Sequence, residues 1–214
     1  MEANHFQLPA PNAYTYAAAL ACCARAGEYT TSWNILADMP NPNTVVYNTV
    51  LSALTTAKQQ RMNASSRRST RTQRVQSGDR VRQGLSLLSR MQEDTDNDTV
   101  CNPDTITYNT LLQIVSGGPV EDWQAIEMEF PFYFDYDSTD WLMPERLVHT
   151  LLDKMEEAGV PRDVMTYRHA IASVRSLQGV VQLVGRALKD TAVVDATQIF
   201  DSALFVLAQE GDWE

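Results

Sequence analysis

The sequence lacks the features that mark disulfide-bonded, zinc-binding and membrane-spanning proteins. It has three cysteines, and two of them, Cys22 and Cys23, are adjacent. An odd count with this spacing offers neither a disulfide framework nor a set of zinc ligands, so a reducing compartment is the simpler expectation. No apolar run approaches the roughly 20 residues that cross a bilayer, which excludes a transmembrane helix.

Positive charge is also scarce. The chain of 214 residues has 17 basic and 27 acidic residues, a formal net charge of -10, which argues against a general nucleic-acid coat or a polybasic membrane binder. Residues 1–12 contain no Lys or Arg and do not resemble a targeting peptide. We therefore expect a cytosolic protein, an already processed one, or a fragment of a longer chain.

A tyrosine-bearing phrase recurs four times along the chain. Each phrase follows an Asn or Asp, which can cap a helix because its side-chain oxygen accepts from an unpaired backbone N–H. The tyrosines are Tyr16, Tyr47, Tyr108 and Tyr167, and the caps are Asn12, Asn43, Asp104 and Asp163. Each phrase is therefore predicted to open a helix.

Helical segments follow each phrase in pairs. First helices are predicted over 13–26, 44–57, 105–116 and 164–178. Apolar residues spaced three and four apart predict second helices over 28–39, 81–91 and 145–158. One helix pair cannot bury both of its apolar faces alone, so the sequence predicts an all-α fold in which neighbouring pairs stack.

These phrases resemble the pentatricopeptide repeat family. The match lies in residues 44–51 (TVVYNTVL), 103–112 (PDTITYNTLL) and 151–160 (LLDKMEEAGV), and the matching pieces cover about half of the chain. The protein-binding tetratricopeptide type is the nearest alternative, but its first helix carries a Trp and a Gly-Tyr pair that are absent here.

The resemblance implies a short right-handed α-solenoid of about four helix-turn-helix repeats with two loop insertions. Its repeats would span 13–43, 44–104, 105–163 and 164–190, between an N-terminal extension (1–12) and a C-terminal capping helix (191–214). The predicted tail helix over 191–208 is more apolar than a one-faced cap needs. It is expected either to close the solenoid or to contact another subunit.

The resemblance also implies that each repeat reads about one base of single-stranded RNA. The readers would be the residue after the tyrosine and the last residue of the repeat. They pair Asn48 with Asp104 and Asn109 with Asp163, which the family associates with uridine. The outer repeats depart from this pattern, and their weaker candidates are Asn43, which faces Ala17, and Arg168. From the residues alone, each Asp is equally a helix cap and each Asn a surface polar group.

Two insertions separate the phrases. Residues 58–80 hold seven of the 17 basic residues and one acid, and we expect a disordered loop there. Its candidates for contacting RNA phosphates, the acidic loop or an acidic partner are Arg67, Arg68, Arg71 and Arg74. Residues 119–145 hold eight acids, no Lys or Arg, and an aromatic patch at 130–137. A protein contact is expected there rather than base stacking, and a helix over 120–128 stays open.

No enzyme, metal site or cofactor is expected, because no catalytic constellation or ligand cluster can be named. Two functions remain. The first is binding of single-stranded RNA in processing, stability or translation, in a mitochondrion or chloroplast, as the resemblance implies. The alternative is a scaffold subunit of a large organellar assembly, such as a ribosome or a photosynthetic or respiratory membrane complex. The Asn and Asp pairs favour the first, and the short repeat run and acidic charge favour the second.

Overall fold

The computed structural model describes residues 11–64, 70–96, 101–117, 123–134, 143–190, 193 and 195–210. Within these ranges the chain forms ten α-helices and a short 3-10 helix, and no strand, which confirms the all-α class. The helices are α1 (Ala13–Ala26), α2 (Tyr29–Asp38), α3 (Thr44–Ala64), α4 (Thr70–Asp96), α5 (Thr105–Val115), α6 (Trp123–Glu129), α7 (Met143–Glu157), α8 (Val164–Ser173), α9 (Leu177–Ala187) and α10 (Thr197–Glu210); the 3-10 helix is Pro131–Tyr133.

The predicted caps open the helices that follow the tyrosine phrases. Asn12 accepts from the Thr15 N–H at 3.0 Å, and Asn43 accepts from the Val46 N–H at 3.1 Å. Asp104 and Asp163 each form a capping box with the threonine three residues later. These side chains satisfy backbone donors that the first turn of a helix leaves unpaired.

The helices that follow these caps pack on one another in chain order. Helix α1 contacts α3, α3 contacts α5, and α5 contacts α8. Helix α2 contacts both α1 and α3, and α4, α7 and α9 bridge the next first helices in the same way. The result is a repeat-like arrangement of helix pairs in which each pair covers the apolar face of its neighbour.

The tyrosines occupy equivalent positions in this arrangement. Tyr47, Tyr108 and Tyr167 each lie four residues after their cap and are almost completely buried. Ile199, the third residue of α10, is buried as well. Because α10 also packs against α8, it continues the row of first helices. The sequence predicted that this helix begins at residue 191, but α10 begins at Thr197.

The prediction of a disordered loop over residues 58–80 is wrong for the described part of that segment. Helix α3 continues to Ala64, and α4 begins at Thr70. The segment contains Lys, Gln, Arg, Met and Ala, which have good helix propensity, and no proline. Extension of an existing helix costs little, since only the first turn carries the nucleation penalty.

The helix predicted over residues 164–178 is interrupted. Helix α8 ends at Ser173, and a new helix, α9, begins at Leu177. Buried Glu145 lies at this break, where its Oε1 accepts from the Arg175 and Ser176 N–H groups at 3.3 and 3.0 Å. Because this carboxylate comes from α7, the break depends on tertiary packing that local periodicity does not reveal.

The aromatic part of the second insertion packs inside the chain. Tyr133 and Phe134 are buried, and the Tyr133 hydroxyl donates to Gln92 Oε1 at 3.1 Å. Only Phe132, 86% exposed, faces solvent among the described residues of this patch. Tyr133 and Phe134 are therefore not placed for the protein contact that the sequence analysis expects of this patch. The helix left open over 120–128 is present from Trp123 onward as α6, and residues 120–122 lie outside the described residues.

Replacement of Gly179 tests the Glu145 contact. A Cβ atom at Gly179 would lie 3.0 Å from Ser176 Oγ and 3.1 Å from the Glu145 carboxyl carbon. We expect Gly179→Ala to lower the free energy of unfolding by about 1–3 kcal/mol, since the site is already packed. The measurement is urea unfolding followed by circular dichroism.

Gly185 on the same helix provides the matched control, because a Cβ atom there would meet nothing within 4 Å. Gly185→Ala should stabilise the protein by about 0.5–1 kcal/mol through helix propensity. Equal effects of the two substitutions would contradict the packing argument.

Candidate nucleic-acid interface

The two predicted Asn and Asp pairs form at consecutive interfaces between first helices. Asn48, in α3, donates from Nδ2 to Oδ1 of Asp104, the cap of α5, at 3.0 Å. Asn109, in α5, donates in the same way to Asp163, the cap of α8, at 3.1 Å. Each candidate reader therefore contacts the next helix in the row, and the two pairs occupy equivalent places.

Two threonines complete these pairs, and the sequence analysis missed both. Thr107 and Thr166 lie three residues after their caps and are buried. The Thr107 hydroxyl accepts from the Asp104 N–H and donates to Asn48 Oδ1 at 2.7 Å. The identical offset from the cap in both repeats is the sequence signal that identifies them.

The two pairs differ in how fully the asparagine is bonded. Asn48 is engaged at both ends, through Nδ2 to Asp104 and through Oδ1 to Thr107. Asn109 Oδ1 is buried and has no hydrogen-bond partner among the described residues, while the Thr166 hydroxyl lies against Asp163 at 3.0 Å. An unpaired buried acceptor costs about 1–3 kcal/mol, so Asn109 is held less firmly than Asn48.

Asp163 is a stable anion in this setting. Burial by itself raises its pKa, but the Thr166 N–H, the Asn109 amide and the Thr166 hydroxyl stabilise the charged form. The pKa of Asp163 therefore lies below its usual value. At neutral pH its carboxylate accepts hydrogen bonds and donates none.

A row of exposed apolar side chains lies beside the pairs, and the sequence analysis missed it too. Each side chain stands two residues after a cap, on the part of the first turn that no neighbouring helix covers. They are Tyr14, Val45, Ile106 and Met165, which are 85%, 71%, 62% and 40% exposed. An apolar side chain beside an amide and a carboxylate can contact the face of a base while the polar groups bond its edge.

The weaker candidates have other surroundings. Asn43 is exposed, and its side chain caps α3. Arg168 Nη1 lies 3.5 Å from Gln198 Oε1 and 3.3 Å from Met165 Sδ. Arg67 and Arg68 lie outside the described residues, and Arg71 and Arg74 fall in the part of α4 whose side chains are not described.

In the described part of the chain, no three His, Cys, Asp or Glu side chains come together as metal ligands. None of the described helices combines the length and apolar content that a membrane crossing requires. No protein-family model matches the sequence, and no curated protein is significantly similar to it.

The different bonding of the two asparagines gives a testable difference in stability. Asn48→Ala removes hydrogen bonds to both Asp104 and Thr107, so we expect it to lower the free energy of unfolding by about 1–2 kcal/mol. Asn109→Ala removes one hydrogen bond together with an unpaired acceptor. It should lower the free energy of unfolding by less than half of that amount. Urea unfolding of both variants measures this, and a larger loss for Asn109→Ala would contradict the bonding described here.

Proposed function

We propose that the protein is a short right-handed α-solenoid of the pentatricopeptide type that binds single-stranded RNA along the row formed by α1, α3, α5 and α8. The observation that carries this proposal is the repetition of one polar arrangement at two successive interfaces, Asn48 with Asp104 and Asn109 with Asp163. The exposed apolar row beside these pairs supports it.

The chemistry of the pairs favours uracil. Each asparagine amide uses one N–H to bond the aspartate and keeps a second N–H, which suits a uracil carbonyl oxygen. Each carboxylate has further lone pairs that suit the uracil N3–H. The apolar side chains Val45, Ile106 and Met165 would contact the faces of the bases, so that each base lies between two successive helices of the row.

The charge of the chain predicts weak binding. Phosphate neutralisation by Lys and Arg supplies most of the affinity in nucleic-acid complexes, and this chain carries a net charge of -10. Contacts to bases would therefore contribute an unusually large share. On the family resemblance, we place this activity in the processing, stability or translation of mitochondrial or chloroplast transcripts.

The test is a filter-binding titration with U-rich and A-rich strands of equal length. The U-rich strand should bind more tightly, and Asn109→Ala should weaken its binding about threefold to tenfold, the value of one hydrogen bond. Asn34, exposed on α2 and away from the pairs, provides the matched control, and Asn34→Ala should leave binding unchanged. Equal affinities for the two strands would contradict base reading.

A second candidate function is that of a scaffold subunit in a large organellar assembly. The observation that favours it is an exposed apolar stripe, formed by Leu177 and Val181 of α9 and by Leu188 directly after it. Contiguous exposed apolar side chains mark protein contacts more often than RNA contacts.

Affinity purification of the full chain after nuclease treatment separates the two functions. The scaffold proposal expects a fixed set of proteins to remain bound, and expects Val181→Lys to release them because it places a charge in the stripe. The exposed Gln182→Lys on the same helix is the control for added charge. Complete loss of partners on nuclease treatment would argue against the scaffold.

A further inference from the structure

The last interface of the row, between α8 and α10, differs from the others in its residues and in its register. The Phe200 N–H bonds the Ala196 carbonyl, as the Tyr108 N–H bonds that of Asp104, so Ala196 stands where the earlier caps stand. Asp195, one residue earlier, accepts from the Thr197 N–H at 2.9 Å through Oδ1. Arg168 stands where Asn48 and Asn109 stand, one residue after the buried tyrosine. Gln198, the second residue of α10, places its Oε1 3.5 Å from Arg168 Nη1.

These replacements accompany a groove of about 410 Å³ between the two helices. Arg168 and His169 line it from α8, and Gln198, Asp201 and Phe205 line it from α10. The ring of Phe205 is 65% exposed. The groove is open to solvent and combines an aromatic surface with a few polar groups, as sites that bind a planar ligand do.

The Arg168 guanidinium is available for a ligand. Arg146, Arg162 and Arg186 each form an ion pair with a carboxylate, whereas no ion pair of Arg168 is found among the described residues. Its contacts are two uncharged groups, the amide oxygen of Gln198 at 3.5 Å and the Met165 thioether at 3.3 Å. An arginine with weak partners keeps its planar fork of donors for a matching pair of acceptors.

The charge of the groove favours an uncharged base over a phosphate. Asp201, exposed on α10, opposes an anion and balances the charge of Arg168. His169 adds no charge at neutral pH, because burial and the nearby Arg168 lower its pKa, an effect that Asp163 only partly offsets. The groove therefore offers a fork of donors, a carboxylate acceptor and an aromatic ring, with no net charge.

From these groups we infer that the groove between α8 and α10 binds a guanine base. Guanine presents two acceptors, O6 and N7, on the edge that arginine recognises. Its Watson–Crick edge carries the N1–H and N2–H donors that suit Asp201. Adenine replaces O6 with a donor and uracil lacks N7, so neither offers the same pair of acceptors. Phe205 supplies a surface on which the base stacks.

The inference deepens the proposed function and rests on it, since it adds a purine position at one end of a uridine-binding row. Fluorescence anisotropy compares an all-U octamer with octamers that carry one guanosine or one adenosine at either end. One of the guanosine strands should bind about tenfold more tightly than the all-U strand, the value of one good bidentate contact. The adenosine strands should show no such gain.

Two variants test the groups involved. Arg168→Lys keeps the charge but removes the planar fork, so the affinity for the guanosine strand should fall to that for the all-U strand. Phe205→Leu keeps an apolar side chain without a ring, so the affinity for the guanosine strand should fall about threefold to tenfold. Arg175 is exposed and lies outside the groove, so Arg175→Lys is the matched control and should keep the full gain. Thermal unfolding confirms that each variant is folded.

Free guanosine and adenosine monophosphates, monitored by ¹⁵N–¹H NMR, distinguish the possible failures. If U-rich strands bind and guanosine adds nothing, the guanine site is overturned while RNA binding stands. If no strand binds but guanosine monophosphate alone shifts the resonances of α8 and α10, the groove is a free-nucleotide site and RNA binding fails. If neither ligand binds, both proposals are overturned.

Discussion

The arrangement of this protein depends on one recurring interaction, in which an aspartate at a helix start bonds to two helices at once. Asp104 Oδ1 accepts from the Thr107 N–H of its own helix at 2.9 Å and from Asn48 of the preceding first helix at 3.0 Å. Asp163 repeats this with Thr166 and Asn109. A capping bond by itself only starts a helix, but the second bond fixes how far each first helix is displaced along its neighbour. The register of the candidate interface is thus set by the groups proposed to bind the bases.

Local signals were sufficient to predict the helices that depend on local interactions. The caps and the tyrosine four residues later placed the starts of α1, α3, α5 and α8 correctly, because capping acts within one turn. The interruption after Ser173 could not be predicted in this way, since Glu145 reaches it from a helix about 30 residues earlier. The helical residues within 58–80 were missed although local signals for a helix were present. Their composition was interpreted as disorder, although the helix propensity of the same residues allows α3 and α4 to extend.

The candidate site also has features that the sequence predicted and features that only the structure shows. The Asn and Asp pairs followed from the family resemblance, and the structure brings both pairs together. The apolar row of Val45 and Ile106 was equally present in the sequence at a constant offset from the caps, but exposure had to be known before it could be recognised. The different bonding of Asn48 and Asn109 was beyond any sequence argument. Both asparagines face a threonine three residues after a cap, and only the packed structure shows which threonine hydroxyl reaches the amide.

The distribution of positive charge bears on both proposed functions. On the side of the second helices, Arg162 bonds Glu156 and Asp190, and Arg186 bonds Asp153 and Glu156. These arginines already have carboxylate partners, so they neutralise protein charge and are not free to neutralise phosphates. An RNA strand on the first-helix row would therefore meet few cations in the described residues, and its affinity would come from base contacts that salt weakens little. A protein partner has no such requirement, since apolar burial provides its binding energy. RNA binding of the proposed kind would thus depend on a few base-specific contacts. Arg168, one residue after the tyrosine of α8, is the cation that stands in the position of the two asparagines.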